Sequence, residues 1–176
     1  MEPKLSEFGL APRHSQPSGC FTVNNRLWIT DFELIEGKVS LDGTCYFEFC
    51  ADSNRKETCW NENAFYLEDE VFNFLLNVFV KANKDFDYYD YCKFGQPQLQ
   101  RLKEQLLDFE GTVGSFQKVE DYEDFFARLV KFPAFEEENK ATWEKRSAEL
   151  RQIAVQLRSC VEDCLKNKEA LWVLGI

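Results

Sequence analysis

The sequence is poor in the groups from which most enzymes build a site. Its one histidine, His14, lies in a proline-rich lead-in, so a Ser/His/Asp or Cys/His arrangement would have to rest on that segment. There is no GxGxxG, Walker A loop, HExxH or GxSxG. The stretch Gly111-Thr112-Val113-Gly114 has too few glycines, and no following Lys-Ser/Thr, to cradle a phosphate. Nowhere do about 18 apolar residues run together, the length a membrane-spanning helix needs. The opening MEPKLSEFGLAPRHSQPSG has no apolar run of signal-peptide length. The seven cysteines form an odd set with no CxxC pair, which argues against a secreted disulfide framework. A cytoplasmic protein with reduced thiols is expected.

Positive charge is also short. Lys and Arg number 21 against 31 Asp and Glu, a formal charge of −10. Such a field repels phosphate backbones and anionic lipid heads and speeds encounter with a basic partner, while also keeping a protein soluble. Neither nucleic acid nor a membrane surface is an expected partner. Apolar material is plentiful: 44% of residues are hydrophobic, and 17 are phenylalanine. A chain of 176 residues can bury roughly 70% of its unfolded surface without metal or disulfide support, so one globular domain is expected.

Residues 1–19 hold three of the five prolines and show no sustained period; they read as an irregular N-terminal arm ahead of a single domain over 20–176. Strands are expected near 26–35, 37–41 and 44–51, broken by Glu36-Gly37 and by the hairpin dipeptide Asp42-Gly43. Within the last of these, Cys45, Phe47 and Phe49 share an apolar face and Tyr46, Glu48 and Cys50 a mixed one. Ala64–Leu67 adds a short strand, so strands occupy about 26–67. Helical spacing begins at Glu68 and runs to Asn83 on Val71, Leu75 and Val78, with acids first and lysines last.

A second helix opens at Pro97 on Leu99, Leu102, Leu106 and Phe109 and ends at Gly111 and Gly114; a third covers Glu120–Lys131. The longest helix is expected over Glu136–Lys168, about 50 Å at 1.5 Å per residue. Trp143, Leu150, Leu157 and Cys164 recur in it every seven residues. That stripe suits either a coiled-coil dimer seam or packing on the chain's own domain. Trp, Cys and Ala in the seam fit the second, so a monomer is expected. Leu171–Ile176 reads as a terminal strand. The fold class is α+β: an N-terminal antiparallel strand meander covered by about four helices over about 68–168, with a long C-terminal helix and a short strand at 171–176.

Three cysteines, Cys45, Cys50 and Cys59, lack the close ligand pairing of a structural zinc site, and Cys160 and Cys164 at i, i+4 read as small buried hydrophobes. No cofactor is expected. The densest chemistry is DFDYYDYCKF, residues 85–94, with Asp85, Asp87 and Asp90 among Phe86, Tyr88, Tyr89, Tyr91 and Phe94. Aligned Asp85 and Asp87 can offer Mg²⁺ two hard oxygens, yet no second polar cluster at recognisable spacing completes a site. The aromatics cannot all face one side. Some anchor the segment, and one or two tyrosines face solvent beside the aspartates. Tyrosine anchors protein interfaces, and surrounding acids steer a basic partner. The candidate contacts are Asp85, Asp87, Tyr88, Tyr89 and Asp90, with Glu136, Glu137 and Glu138 as a second acidic patch, unless those glutamates only favour the start of the last helix.

In order and texture the chain resembles small cytosolic immunity proteins of bacterial polymorphic toxin systems. The resemblance runs loosely over 26–176: a strand region containing RLWITDFELIEGKVSL, a helix, FDYYDYCKFGQPQLQRLKEQL leading into a Pro-started helix, and a last helix before LWVLGI. It implies a non-catalytic inhibitor that binds a cognate toxin domain, with a basic nuclease as one candidate. Two other readings stand beside it: an adaptor or chaperone for a secreted effector working through the long helix, and a small metal-dependent enzyme using the aspartates.

Overall fold

The computed structural model describes residues 32–38, 41, 45–52, 60–127 and 141–175. They form a mixed α+β domain of five antiparallel strands and four helices. The strands are β1 (Ile35–Glu36), β2 (Tyr46–Ala51), β3 (Phe65–Glu68), β4 (Cys92–Phe94) and β5 (Leu171–Gly175). The helices are α1 (Asp69–Ala82), α2 (Gln96–Gly114), α3 (Val119–Phe126) and α4 (Trp143–Asn167). In the sheet the order is β1-β3-β2-β5-β4. The C-terminal strand therefore lies inside the sheet, between β2 and β4.

The alternation in β2 sorts the two faces. Phe47 and Phe49 look toward the helices and join Leu67, Cys92, Phe94, Leu171 and Val173 in the main core. Against them α1 packs Val71, Phe72, Leu75, Val78 and Phe79, the residues its helical spacing brings to one side. Phe47 stacks on Phe72 at 3.6 Å between ring centroids. The leucines expected to line α2 are all buried. The stripe of α4 (Leu150, Ile153, Ala154, Leu157, Val161 and Cys164) is buried in that same core. It packs on its own domain, which removes it as an exposed dimer seam. Between α2 and α4 runs a chain of ion pairs: Lys103 to Glu162 at 3.0 Å, and Arg158 to both Glu162 and Glu110 at 3.3 Å.

The mixed face of β2 is buried as well. Tyr46, Cys50 and Tyr66 form a second cluster with Ala64, and Glu48 sits among them at 0% exposure. Its carboxyl oxygen accepts the Trp60 N–H at 2.6 Å. Trp60 holds a left-handed backbone (φ 64) and lays its indole on Tyr66 at 6.0 Å.

Several boundaries differ from expectation. A strand over 37–41 does not form in its described part: Gly37 turns left-handed (φ 74), and its N–H goes to the Ala64 carbonyl at 2.9 Å. Strand β4 was not anticipated, being only three residues long. The last helix is described from Trp143, about 37 Å at 1.5 Å per residue; the strand expected over 26–35 is a strand in its described part only at Ile35, and residues 26–31, 136–140, the 1–19 arm and Asp42-Gly43 lie outside the described residues. After α4 the left-handed Lys168 (φ 59) and a Glu169 N–H to Cys164 carbonyl bond at 2.9 Å reverse the chain into β5. Among the described residues no helix is long and apolar enough to cross a membrane.

Candidate partner-binding surface

The acidic-aromatic segment is the connection from α1 to β4, and its shape follows from its own side chains. At the end of α1 the Asn83 side-chain oxygen accepts the Asp85 N–H at 3.2 Å. Phe86 then turns inward to within about 6 Å of Phe72, Phe79 and Phe94. The Asp87 carboxylate accepts the Tyr89 N–H at 2.9 Å, and Asp90 accepts the Tyr91 N–H at 2.7 Å. Such local side-chain bonds favour turns over helix or strand. Phe94 ends fully buried and Tyr88 half-buried, while Tyr89 stands 86% exposed. Asp85, Asp87 and Asp90 are exposed around it.

Tyr88 is the joint between this loop and the sheet. Its ring meets Phe47 edge-on at 4.8 Å and Phe72 at 6.2 Å, and touches Tyr89 at 4.9 Å. Burial, and then the nearby Asp69 charge, push its hydroxyl up to about 12, partly opposed by a hydrogen bond with Asn73. The loop thus abuts the N-terminus of α1. There Glu68, Asp69 and Glu70 all have raised pKa values, burial being the largest cause, with mutual repulsion and Glu33 adding to it at Glu68. These three residues form an acidic run beside the loop. In the sequence they registered only as charges favourable to a helix start; their nearness to Tyr88 is a tertiary fact. Glu136, Glu137 and Glu138 lie outside the described residues.

Charge compensation is uneven among the described acids. Glu62, Glu110, Glu149 and Glu162 each pair with a lysine or arginine. Among the described residues none of Glu68, Asp69, Glu70, Asp85, Asp87 or Asp90 has such a pair, and Glu104, Asp108, Asp124 and Asp163 also lack an ion pair. Nor does any group of three His, Cys, Asp or Glu come together there in a way that could hold a metal ion. Cys164 is buried and Cys160 half-buried against the core, as expected of structural thiols.

A stability prediction follows from the crowding at α1. A carboxyl whose folded pKa exceeds its unfolded value stabilises the fold most below that unfolded value, and the benefit is lost as pH rises through the folded one. Replacing Glu68 and Glu70 together by Gln should therefore raise Tm by about 1–3 °C at pH 7. The gain should shrink to nothing below about pH 4, where wild-type carboxyls are protonated. Thermal melts at pH 3.5, 5 and 7 check this; a lower Tm at pH 7 would mean that attraction to the helix N-terminus outweighs the repulsion.

No family model, curated protein or solved structure matches the chain significantly.

Proposed function

We propose that the chain is an immunity protein: a non-catalytic inhibitor that binds a basic bacterial toxin domain in the cytoplasm through the surface centred on Tyr89. The observation that carries this reading is a nearly fully exposed tyrosine set among carboxylates that no cation of the described chain neutralises. Exposed tyrosine offers large contact area at low rotamer cost. Uncompensated acids beside it accelerate docking of a basic surface and are relieved of repulsion once it arrives. A nuclease suits the charge best, because its phosphate-binding cleft is basic and a cluster of carboxylates mimics the substrate's charge. Burial of the α4 stripe supports this reading over an adaptor working through that stripe.

The test is a growth assay. The C-terminal domain of the polypeptide encoded immediately upstream is expressed alone and with this chain; it should kill alone and be neutralised together. Asp87→Asn with Asp90→Asn keeps both oxygen acceptors of the loop and removes two charges. That variant should associate at least about tenfold more slowly at low salt, with Tm within about 2 °C of wild type. A harmless upstream domain, or killing that this chain does not prevent, would overturn the reading. Equal losses in association and stability would remove the acidic loop from it.

A further inference from the structure

We propose that Cys92 is a positioning residue that clips the acidic loop into one conformation before any partner arrives. The proposal rests on the reading of that loop as a binding surface. Cys92 lies in β4, paired with Val173 of β5, an interior strand of the sheet, so its sulfur is anchored to the sheet. Its thiol works in both directions on one residue. The sulfur accepts the Asp87 N–H at 3.0 Å, and the S–H donates to the Asp87 carbonyl at 3.3 Å. The ring so closed contains Tyr88, Tyr89, Asp90 and Tyr91, the residues that present the surface.

The rest of the loop is held to match. Tyr88 is wedged edge-on against Phe47, and its carbonyl oxygen lies against Gly175 at the end of β5, where a Cβ would collide with it. With both flanks tied, Tyr89 has one place left to go, outward. Such a loop docks nearly as a rigid body, because its ordering cost is met during folding rather than at encounter. The clip needs the thiol protonated, since a thiolate cannot donate to the Asp87 carbonyl. Burial, and then the charges of Asp87 and Asp90, push the Cys92 thiol up, against the lowering effect of the Asp87 backbone bond, which keeps the proton on sulfur at neutral pH.

The experiment is residue-resolved amide hydrogen exchange on the free full-length chain. With Cys92→Ala, the Asp87 and Tyr89 amides should exchange at least about tenfold faster, while those of Phe49 and Val173 keep their wild-type rates. Cys92→Ser, whose hydroxyl also donates and accepts, should return the two loop amides to within about threefold of wild type. Unchanged loop rates in Cys92→Ala would overturn the proposal. So would equal acceleration in the core amides, which would reduce Cys92 to ordinary packing, and so would a serine variant no better than alanine. Because no partner is present, a result against the clip leaves the toxin-binding reading intact, and a failed growth rescue leaves the clip intact.

Discussion

Replacing Gly175 by alanine should unseat the acidic loop and lower Tm by roughly 2–12 °C. Gly175 pairs with Phe47 across β2 and β5, and the absence of a side chain there leaves the space that the Tyr88 backbone occupies. An added Cβ would strike the Tyr88 carbonyl oxygen and come within 3.1 Å of the Phe47 ring. The ring cannot give way readily, being 1% exposed and stacked on Phe72. The loop must move instead. Overpacking of this kind costs about 1–3 kcal/mol, and a chain of this length loses about 2–4 °C per kcal/mol. Differential scanning calorimetry gives the size of the effect, and amide exchange at Tyr89 gives its place. Gly111→Ala is the control, since a Cβ there meets nothing within 4 Å and alanine favours a helix interior by about 1 kcal/mol. It should raise Tm. A Gly175→Ala protein as stable as wild type, with the loop amides still protected, would show that Tyr88 is not seated on that strand end.

What could be read ahead of the structure divides by range. The stripes of α1 and α2 were legible because Val71, Leu75 and Val78, or Leu99, Leu102 and Leu106, sit three and four residues apart and declare a face locally. Strand β4 was not legible: Cys92-Lys93-Phe94 is too short to show a period, and it exists as a strand through pairing with Val173, Trp172 and Leu171 about eighty residues on. The left-handed Gly37 curtailed an expected strand for another non-local reason, its N–H being taken by the Ala64 carbonyl.

The candidate surface shows the same division. That some aromatics of DFDYYDYCKF would anchor and one or two face solvent was legible from their crowding. Which ones do so was not. Phe86 and Phe94 go in because they meet Phe79 of α1, and Tyr89 goes out after a backbone that contacts Cys92 at Asp87 and Gly175 at Tyr88. The acidic run beside the loop was missed for a related reason. Runs of acid at 68–70 and at 136–138 look alike in sequence, and only the position of Tyr88 against Asp69 and Asn73 joins the first run to the loop.

On the opposite side of the sheet, removing the Glu48 carboxyl should cost more than any single change to the acidic surface. Glu48 lies mid-sheet, opposite Tyr66 on one side and Leu174 on the other. It is fully buried and accepts the N–H of a residue held left-handed. A tryptophan keeps that conformation only where its surroundings over-determine it, and the 2.6 Å bond is one such restraint. Glu48→Ala leaves the half-buried Trp60 N–H without its acceptor and opens a void beside Tyr66. The two effects together should cost about 3–4 kcal/mol, or roughly 6–16 °C in Tm. Glu48→Gln keeps an oxygen acceptor and should lose less than half as much. Trp60 reports locally: in the alanine variant its indole should leave Tyr66, and near-UV circular dichroism should weaken. An alanine variant within about 1 kcal/mol of wild type in urea unfolding would show that Trp60 is held by other contacts. The pairing of this experiment with the aspartate-to-asparagine test carries the functional argument. Glu48 supports the fold from the face away from the loop, so its loss should lower stability while the folded fraction still associates at the wild-type rate. The loop aspartates should do the reverse, since one set of acids holds the chain together and the other faces outward without a cation of its own.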